Sequence, residues 1–290
     1  MGKLLILCES SGDLPADLAE RYGITVMPML TMLDDKVCHD NVDVTSEDVF
    51  AHYRSTGRLA RTSASNMEDY LNFWNPLLAQ GHSILHFALG SGVSASCRNA
   101  QLAAETLSNV RVVDTRRLST GMALQALRAA ELRDDGLSLE AIAARAEEMR
   151  DRVETSFVLD TLEYMAKGGR CSAVTAFGAN LLRLKPLIEM PDGTLHAGKK
   201  YRGRMTDVLL EYAEERLKEP QNATARGRAG IDTRRCFITH SACPPDVVDA
   251  VRERVLSLVP FEEVICNVAG PTISVHCGPG TLGVLFVRKA

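Results

Sequence analysis

Through the first half of the chain, short apolar runs alternate with stretches of helical periodicity. Leu4–Cys8 reads as a buried strand and Ile24–Leu30 as a second, with Asp34-Asp35-Lys36 as the turn of a hairpin. Helices are predicted over Ser46–Thr56 and Met67–Gln80, the second with Asn66 as N-cap. The strand Ser83–Leu89, the helix Ser94–Leu107 and the strand Val110–Asp114 follow, then helices over Leu118–Arg133 and Leu139–Arg152. Strands alternating with helices imply crossover connections and a mostly parallel sheet covered on both faces.

The pattern changes near residue 153. Phe157–Leu159 is a short strand and Thr161–Lys167 a short helix ended by Gly168-Gly169. Lys185–Met190 and Leu195–Tyr201 flank Pro191-Asp-Gly-Thr, a hairpin signal. A helix over Met205–Lys218 and a polar stretch over Glu219–Thr233 come next. Strands are predicted at Cys236–His240, Glu263–Val268, Thr272–His276 and Leu282–Arg288, with one helix at Pro245–Val259. The expected architecture is α/β in two domains. Residues 1–153 form an α/β domain on a mostly parallel sheet, and residues 154–290 an α+β domain.

Composition narrows the function classes. Apolar residues make up 46% and charged residues 24% of 290, which excludes a disordered or collagen-like chain. The net charge of -4 gives no basic excess that would draw the chain to nucleic acid. No apolar run approaches the ~18 residues of a membrane helix. The first eight residues read as a strand, not as a signal sequence or a myristoylation site. The eight cysteines form no C-x-x-C pair and read as reduced thiols packed as small hydrophobes, so a cytoplasmic location is expected.

Several motifs carry candidate chemistry. Gly90-Ser-Gly92-Val-Ser-Ala95 follows a strand, opens a helix and has Asp114 at the end of the next strand, the outline of a dinucleotide fingerprint. A dinucleotide-dependent oxidoreductase using this loop is therefore the alternative reading. Without a nucleotide, the loop still offers backbone N–H groups to an anion. Gly278-Pro-Gly280-Thr-Leu-Gly283 has the same spacing but leads into a strand, so it reads as a tight turn placing His276 beside backbone donors. Ser94, Asp114 or Asp160, and His276 occur in the order of an α/β-hydrolase triad, but the second glycine of G-x-S-x-G is missing. His240 and His276 lack partners at metal-ligand spacing. Thr62-Ser63-Ala64-Ser65 falls between two predicted helices, where hydroxyls either cap a helix or bind a ligand oxygen. Arg170 follows a glycine turn that could hold its guanidinium toward a carboxylate or phosphate. Lys199-Lys200-Tyr-Arg202-Gly-Arg204 is a basic cluster that reads as a solvated face or an attractor of anions.

Taken together, these segments resemble the DegV family of bacterial fatty-acid-binding proteins. The resemblance runs from Glu9-Ser-Ser-Gly-Asp13-Leu-Pro15 to Gly270-Pro-Thr-Ile-Ser-Val-His276-Cys-Gly278-Pro-Gly280. Its most specific block is Asp160-Thr-Leu-Glu163-Tyr-Met-Ala-Lys167-Gly168-Gly169-Arg170-Cys-Ser172, followed by Leu184-Lys185-Pro186-Leu-Ile and Arg202-Gly203-Arg204.

The resemblance implies an EDD-like first domain and a lipid site between the two domains. It implies a carrier, not an enzyme, with no cofactor and no metal. One long-chain fatty acid would be the ligand. A separate ATP-dependent fatty acid kinase would phosphorylate its carboxylate, and the acyl-phosphate would be carried toward phospholipid synthesis, with transient contact at a membrane surface. Thr62, Ser63 and Ser94 would contact the carboxylate, Arg170 and His276 would complete the polar network, and Arg202 would lie near the head group or the kinase-docking face. Phe177, Leu181 and Leu182 are candidates to line the tail site.

The physics suits such a ligand. Burying the tail is worth roughly 0.8 kcal/mol per methylene, while a buried carboxylate must find donors. Low aromatic content, with eight Phe, six Tyr and one Trp, is compatible with an aliphatic tunnel. The chain differs from the family pattern at Glu9 (usually Asp), at Ala64-Ser65-Asn66 and at Ala95 and Cys97, and residues 221–232 look like an insertion. A third reading is an interaction module whose pocket is vestigial.

Overall fold

The structure is a computed structural model that describes residues 2–170, 184–218 and 230–290. In the first half, β1 (Leu4–Glu9), β2 (Ile24–Met27), β6 (Ser83–Ala88) and β7 (Val110–Asp114) form a parallel sheet in the order β2-β1-β6-β7. The central strands are apolar along most of their length because both faces are covered, as parallel sheets require. The covering helices are α1 (Ala16–Arg21), α3 (Met67–Leu78), α4 (Ser96–Ala104), α5 (Thr120–Asp134) and α6 (Leu139–Arg150). Asn66 caps α3 in a reciprocal capping box with Asp69.

The predicted strand Ile24–Leu30 divides. Pro28 has no N–H to give a ladder. Beyond it, β3 (Leu30–Leu33) leaves the parallel sheet and pairs with β4 (Lys36–His39) and β5 (Arg61–Ser63) in a small antiparallel sheet. The helix α2 (Ser46–Thr56) lies between β4 and β5 in the chain. Thr62 and Ser63 are therefore strand residues, with Thr62 opposite Thr31, not the loop residues expected.

The second half is built on a seven-stranded sheet. β8 (Val153–Glu154) and β9 (Ser156–Val158) precede the short helix α7 (Glu163–Lys167). The expected hairpin is present as β10 (Lys185–Glu189) and β11 (His196–Tyr201). β12 (Ile231–Ser241), β13 (Glu263–Val268) and β14 (Thr281–Arg288) complete the order β11-β10-β9-β14-β12-β13, with β8 beside β14. The helices Met205–Leu217 and Pro245–Leu258 bury their apolar faces against this sheet.

The predicted strand Thr272–His276 is instead a short helix, Pro271–Cys277. Thr, Ile and Val favour strands as isolated residues, but tertiary contacts decide here. Pro271 is pre-set for a first helical turn. Two buried carboxylates take the leading N–H groups, Asp13 from Gly270 at 2.8 Å and Asp40 from Thr272 at 3.0 Å.

One apolar cluster runs through both halves, joining Ile6, Phe87 and Leu127 to Phe157, Phe237 and Leu285. A second joins Val49 and Phe50 of α2 to Tyr164 and Val275. The seven described cysteines are free thiols, and all except Cys266 are buried. No described helix is long and apolar enough to cross a membrane.

Candidate functional site

A cavity of about 210 Å³ opens between the two halves, and Thr62, Ser63, Ser94, Arg170 and His276 all line it. Its apolar wall includes Met29, Leu89, Val93, Leu118, Leu195 and Ile273. Arg202 lies elsewhere, exposed in the turn after β11. Phe177, Leu181 and Leu182 fall outside the described residues, as do residues 221–229 of the expected insertion.

Two segments deliver the hydroxyls. Pairing with β3 holds Thr62 and Ser63. Ser94 sits before α4, where its oxygen accepts the Ser96 N–H at 3.1 Å and its hydroxyl donates to Ser96 Oγ at 3.0 Å. The Asn99 amide of α4 donates to the Ser65 carbonyl at 2.8 Å, tying the two hydroxyl-bearing segments together. Further in, the buried carboxylate of Glu9 accepts from Tyr70 at 2.6 Å and from the Leu89 N–H at 2.8 Å. It thereby fixes the chain entering the Gly90 loop.

Arg170 and His276 come from the second half. α7 ends in a Schellman turn. Gly169, at φ +76°, donates to Ala166, and the Arg170 N–H returns to Met165 at 3.1 Å. The Arg170 guanidinium is half-buried and donates to the Gly168 carbonyl at 3.0 Å. Among the described residues no carboxylate pairs with it. Burial pulls its pKa down from the usual arginine value.

His276 is nearly buried, and burial, with the nearby Arg170 charge, pushes its pKa down to about 3. The imidazole is therefore neutral. Its Nε2 lies 2.8 Å from Thr62 Oγ1, while Nδ1 is buried with no partner among the described residues. An unpaired buried N–H is costly, which favours the tautomer with its proton on Nε2. That proton goes to the Thr62 oxygen, leaving the Thr62 O–H free to donate into the cavity. A Cβ at Gly168 would stand 2.6 Å from His276 Nδ1, so glycine is what lets the imidazole reach this position.

The other sequence readings are not assembled. His276 pairs with Thr62, not with Ser94, and Asp160 is ion-paired with Lys185, so no hydrolase triad forms. Asp114 accepts from the Ser91 backbone and hydroxyl and from the Arg116 N–H. A Cβ at Gly90 would meet the Arg117 nitrogen at 2.9 Å, and one at Gly92 would meet the Gly193 carbonyl oxygen at 2.4 Å. The glycines thus admit neighbouring backbone, and the hairpin tip lies where a pyrophosphate would approach. This geometry opposes the dinucleotide alternative.

The DegV family model matches residues 3–289. The chain belongs to the DegV family. A DegV domain-containing protein of Clostridium perfringens is 28% identical over 297 residues, covering 99% of this chain and 98% of the relative. Among solved structures, a DegV family protein from Thermus thermophilus, described by its fatty acid binding, superposes with a TM-score of 0.87 at 32% identity, over 99% of this chain and all of that one. A DegV lipid-binding protein from Thermotoga maritima gives a TM-score of 0.83 at 25% identity, with 99% and 100% coverage. The two-domain α/β architecture expected from the sequence is that of these DegV structures.

Sequence reasoning missed Asp13 and Asp40, which position the His276 helix. Asp13 lies within the Glu9–Pro15 block, so a signal was present. The apolar lining residues carried no distinguishing pattern.

Proposed function

We propose that this chain binds one long-chain fatty acid in the cavity between its halves and acts as a carrier. The observation that carries the reading is Arg170, a half-buried cation on an apolar wall with no carboxylate partner among the described residues. Such a wall calls for a ligand with one anionic head and a long apolar body. The head lies among the hydroxyls of Thr62, Ser63 and Ser94, with Thr62 kept as a donor by His276 and with Arg170 supplying charge. No group in this set is arranged as an activated nucleophile, so the chemistry belongs to a partner. In keeping with the family resemblance, that partner is a separate ATP-dependent fatty acid kinase, and the acyl-phosphate then passes toward phospholipid synthesis at a membrane surface. Arg202, exposed and outside the cavity, suits kinase docking. The boundary near residue 153 makes residues 1–153 and 154–290 the two walls of the site.

The test is native mass spectrometry of purified protein, followed by analysis of the lipid released on denaturation. One fatty acid per chain is expected, with Arg170→Met retaining less of it by about 1.5–3 kcal/mol, the value of a hydrogen bond to a charged group. Ser94→Ala should lose roughly 1–3 kcal/mol of binding without unfolding. Protein that takes up no fatty acid after incubation with palmitate overturns the reading. Arg202→Ala should leave lipid uptake intact and slow phosphorylation by the kinase; wild-type turnover removes that role.

A further inference from the structure

The main cavity has an inner neighbour. A second, smaller chamber of about 20 Å³ shares four lining residues with it, Leu118, Phe157, Ile273 and Cys277. These four form the neck between the two spaces. The chamber holds about one water-sized sphere, so it serves a ligand only together with the volume that the Phe157 ring now fills.

Several residues around the chamber are nominally polar, yet its wall offers little to a polar ligand. The hydroxyls of Ser119, Ser156, Thr239, Ser241 and Thr281 are each already bonded within the protein, to Asp13, Tyr212, Thr120, Ser274 and the Cys277 carbonyl respectively. His240 also lines it, with its Nδ1 accepting the Cys243 N–H at 3.3 Å and burial lowering its pKa toward the neutral form, and the remaining lining residues, Ala269 and Leu285 among them, are apolar. It is a place for hydrocarbon.

Phe157 is placed to control entry. It sits on β9 opposite Gly283 of β14, and Gly283 itself lines the chamber. A Cβ at 283 would come within 3.3 Å of Phe157 Cβ and 2.8 Å of the Ser156 carbonyl oxygen. With glycine there, position 283 puts no side chain of its own against Phe157, and Leu285 Cδ1 comes within 3.1 Å of that Cβ position instead.

We propose that Phe157 and the inner chamber set the longest acyl chain the site accepts: shorter tails end against the Phe157 ring, and longer ones need it to turn aside and admit their terminal methylenes. This rests on the fatty-acid reading and adds a specificity-determining residue to it. Each further methylene that finds room is worth about fourfold in affinity.

The test measures displacement by laurate, myristate, palmitate and stearate on delipidated wild-type protein, Phe157→Ala and Ala269→Leu, with circular dichroism to establish folding. Phe157→Ala joins the two spaces and should move the preference toward longer chains. Ala269 lines only the inner chamber, so Ala269→Leu fills it without touching the main cavity and should move the preference toward shorter chains. Should Phe157→Ala fail to fold, Phe157→Leu and Ala269→Leu still decide the matter. The same ranking of the four acids in every folded variant overturns the proposal while leaving fatty-acid binding intact. Wild-type protein that binds none of them overturns the underlying reading as well.

Discussion

The two polar walls of the cavity are held in place by different means. The hydroxyl wall of Thr62, Ser63 and Ser94 rests on strand pairing and on the turn leading into α4, so its side chains are terminal features of a backbone that would stand without them. The wall of Arg170 and His276 rests on close approach. Gly168 lies against the imidazole, Gly278 lies against the Tyr164 ring, and the helix carrying His276 begins on two buried carboxylates. The first wall should tolerate losing atoms, and the second should fail when atoms are added.

Gly278→Ala is expected to have the largest effect. The residue has φ +74°, and a Cβ there would stand 2.5 Å from Tyr164 Cδ2. Left-handed strain and overpacking together should cost about 2–4 kcal/mol in thermal or urea denaturation. A loss below about 0.5 kcal/mol would show that the second wall is not a close-packed device.

Gly168→Ala comes next. It meets His276 Nδ1 and the Tyr164 carbonyl oxygen, at 2.6 and 2.9 Å, without requiring an unusual φ. The expected cost is about 1–3 kcal/mol, with fatty-acid retention falling because the Thr62–His276 bond is displaced. Full retention in a destabilised variant would separate His276 from the ligand.

Asp13→Asn probes the anchoring acid. Burial pushes the Asp13 carboxyl up to about 8, against the lowering effect of Ser119 and the Gly270 N–H. The unfolded chain releases this proton at ordinary carboxylate pH. The stabilisation from holding it is therefore complete in acid and is lost as pH rises through about 8. Asp13→Asn stays neutral throughout and should gain on the wild type in melting temperature as pH rises. A constant gap across that range would mean that Asp13 is ionised in the fold.

Ser63→Ala should do least. The residue is exposed and, among the described residues, the only hydrogen bond of its hydroxyl is a 3.4 Å contact to the neighbouring Ala64 carbonyl. Stability should stay within about 0.5 kcal/mol, and retention should fall less than in Ser94→Ala. A larger loss than Ser94→Ala would place the head group on the β5 side of the cavity.

Much of this was legible from local pattern. β1, β6, the β10–β11 hairpin and the Asn66 cap follow from periodicity and capping chemistry that act within a few residues. The five nominated polar residues line one cavity because motif resemblance carries tertiary information that periodicity lacks. What periodicity could not supply depended on partners far away in sequence. Thr272–His276 reads as a strand until Asp13 and Asp40 meet its start. Ile24–Leu30 reads as one strand, although Pro28 divides it between two sheets. Gly90 and Gly92 read as ligand-facing because a glycine pattern reports close approach and not what approaches. Phe157 drew no notice because a buried phenylalanine on a strand is ordinary until the spaces on either side of it are seen.

Thr62 and His276 meet across 214 residues of chain. Loop closure over such a span comes late in folding, after local contacts have formed. On a ribosome, the walls can join only once nearly the whole chain has emerged. On the proposed reading, a hydrophobic acid present at that moment would bind the finished state and not its precursors, and so act as a folding ligand. Cells poor in such acids would then accumulate less of the protein, making lipid supply a determinant of its abundance as well as its cargo.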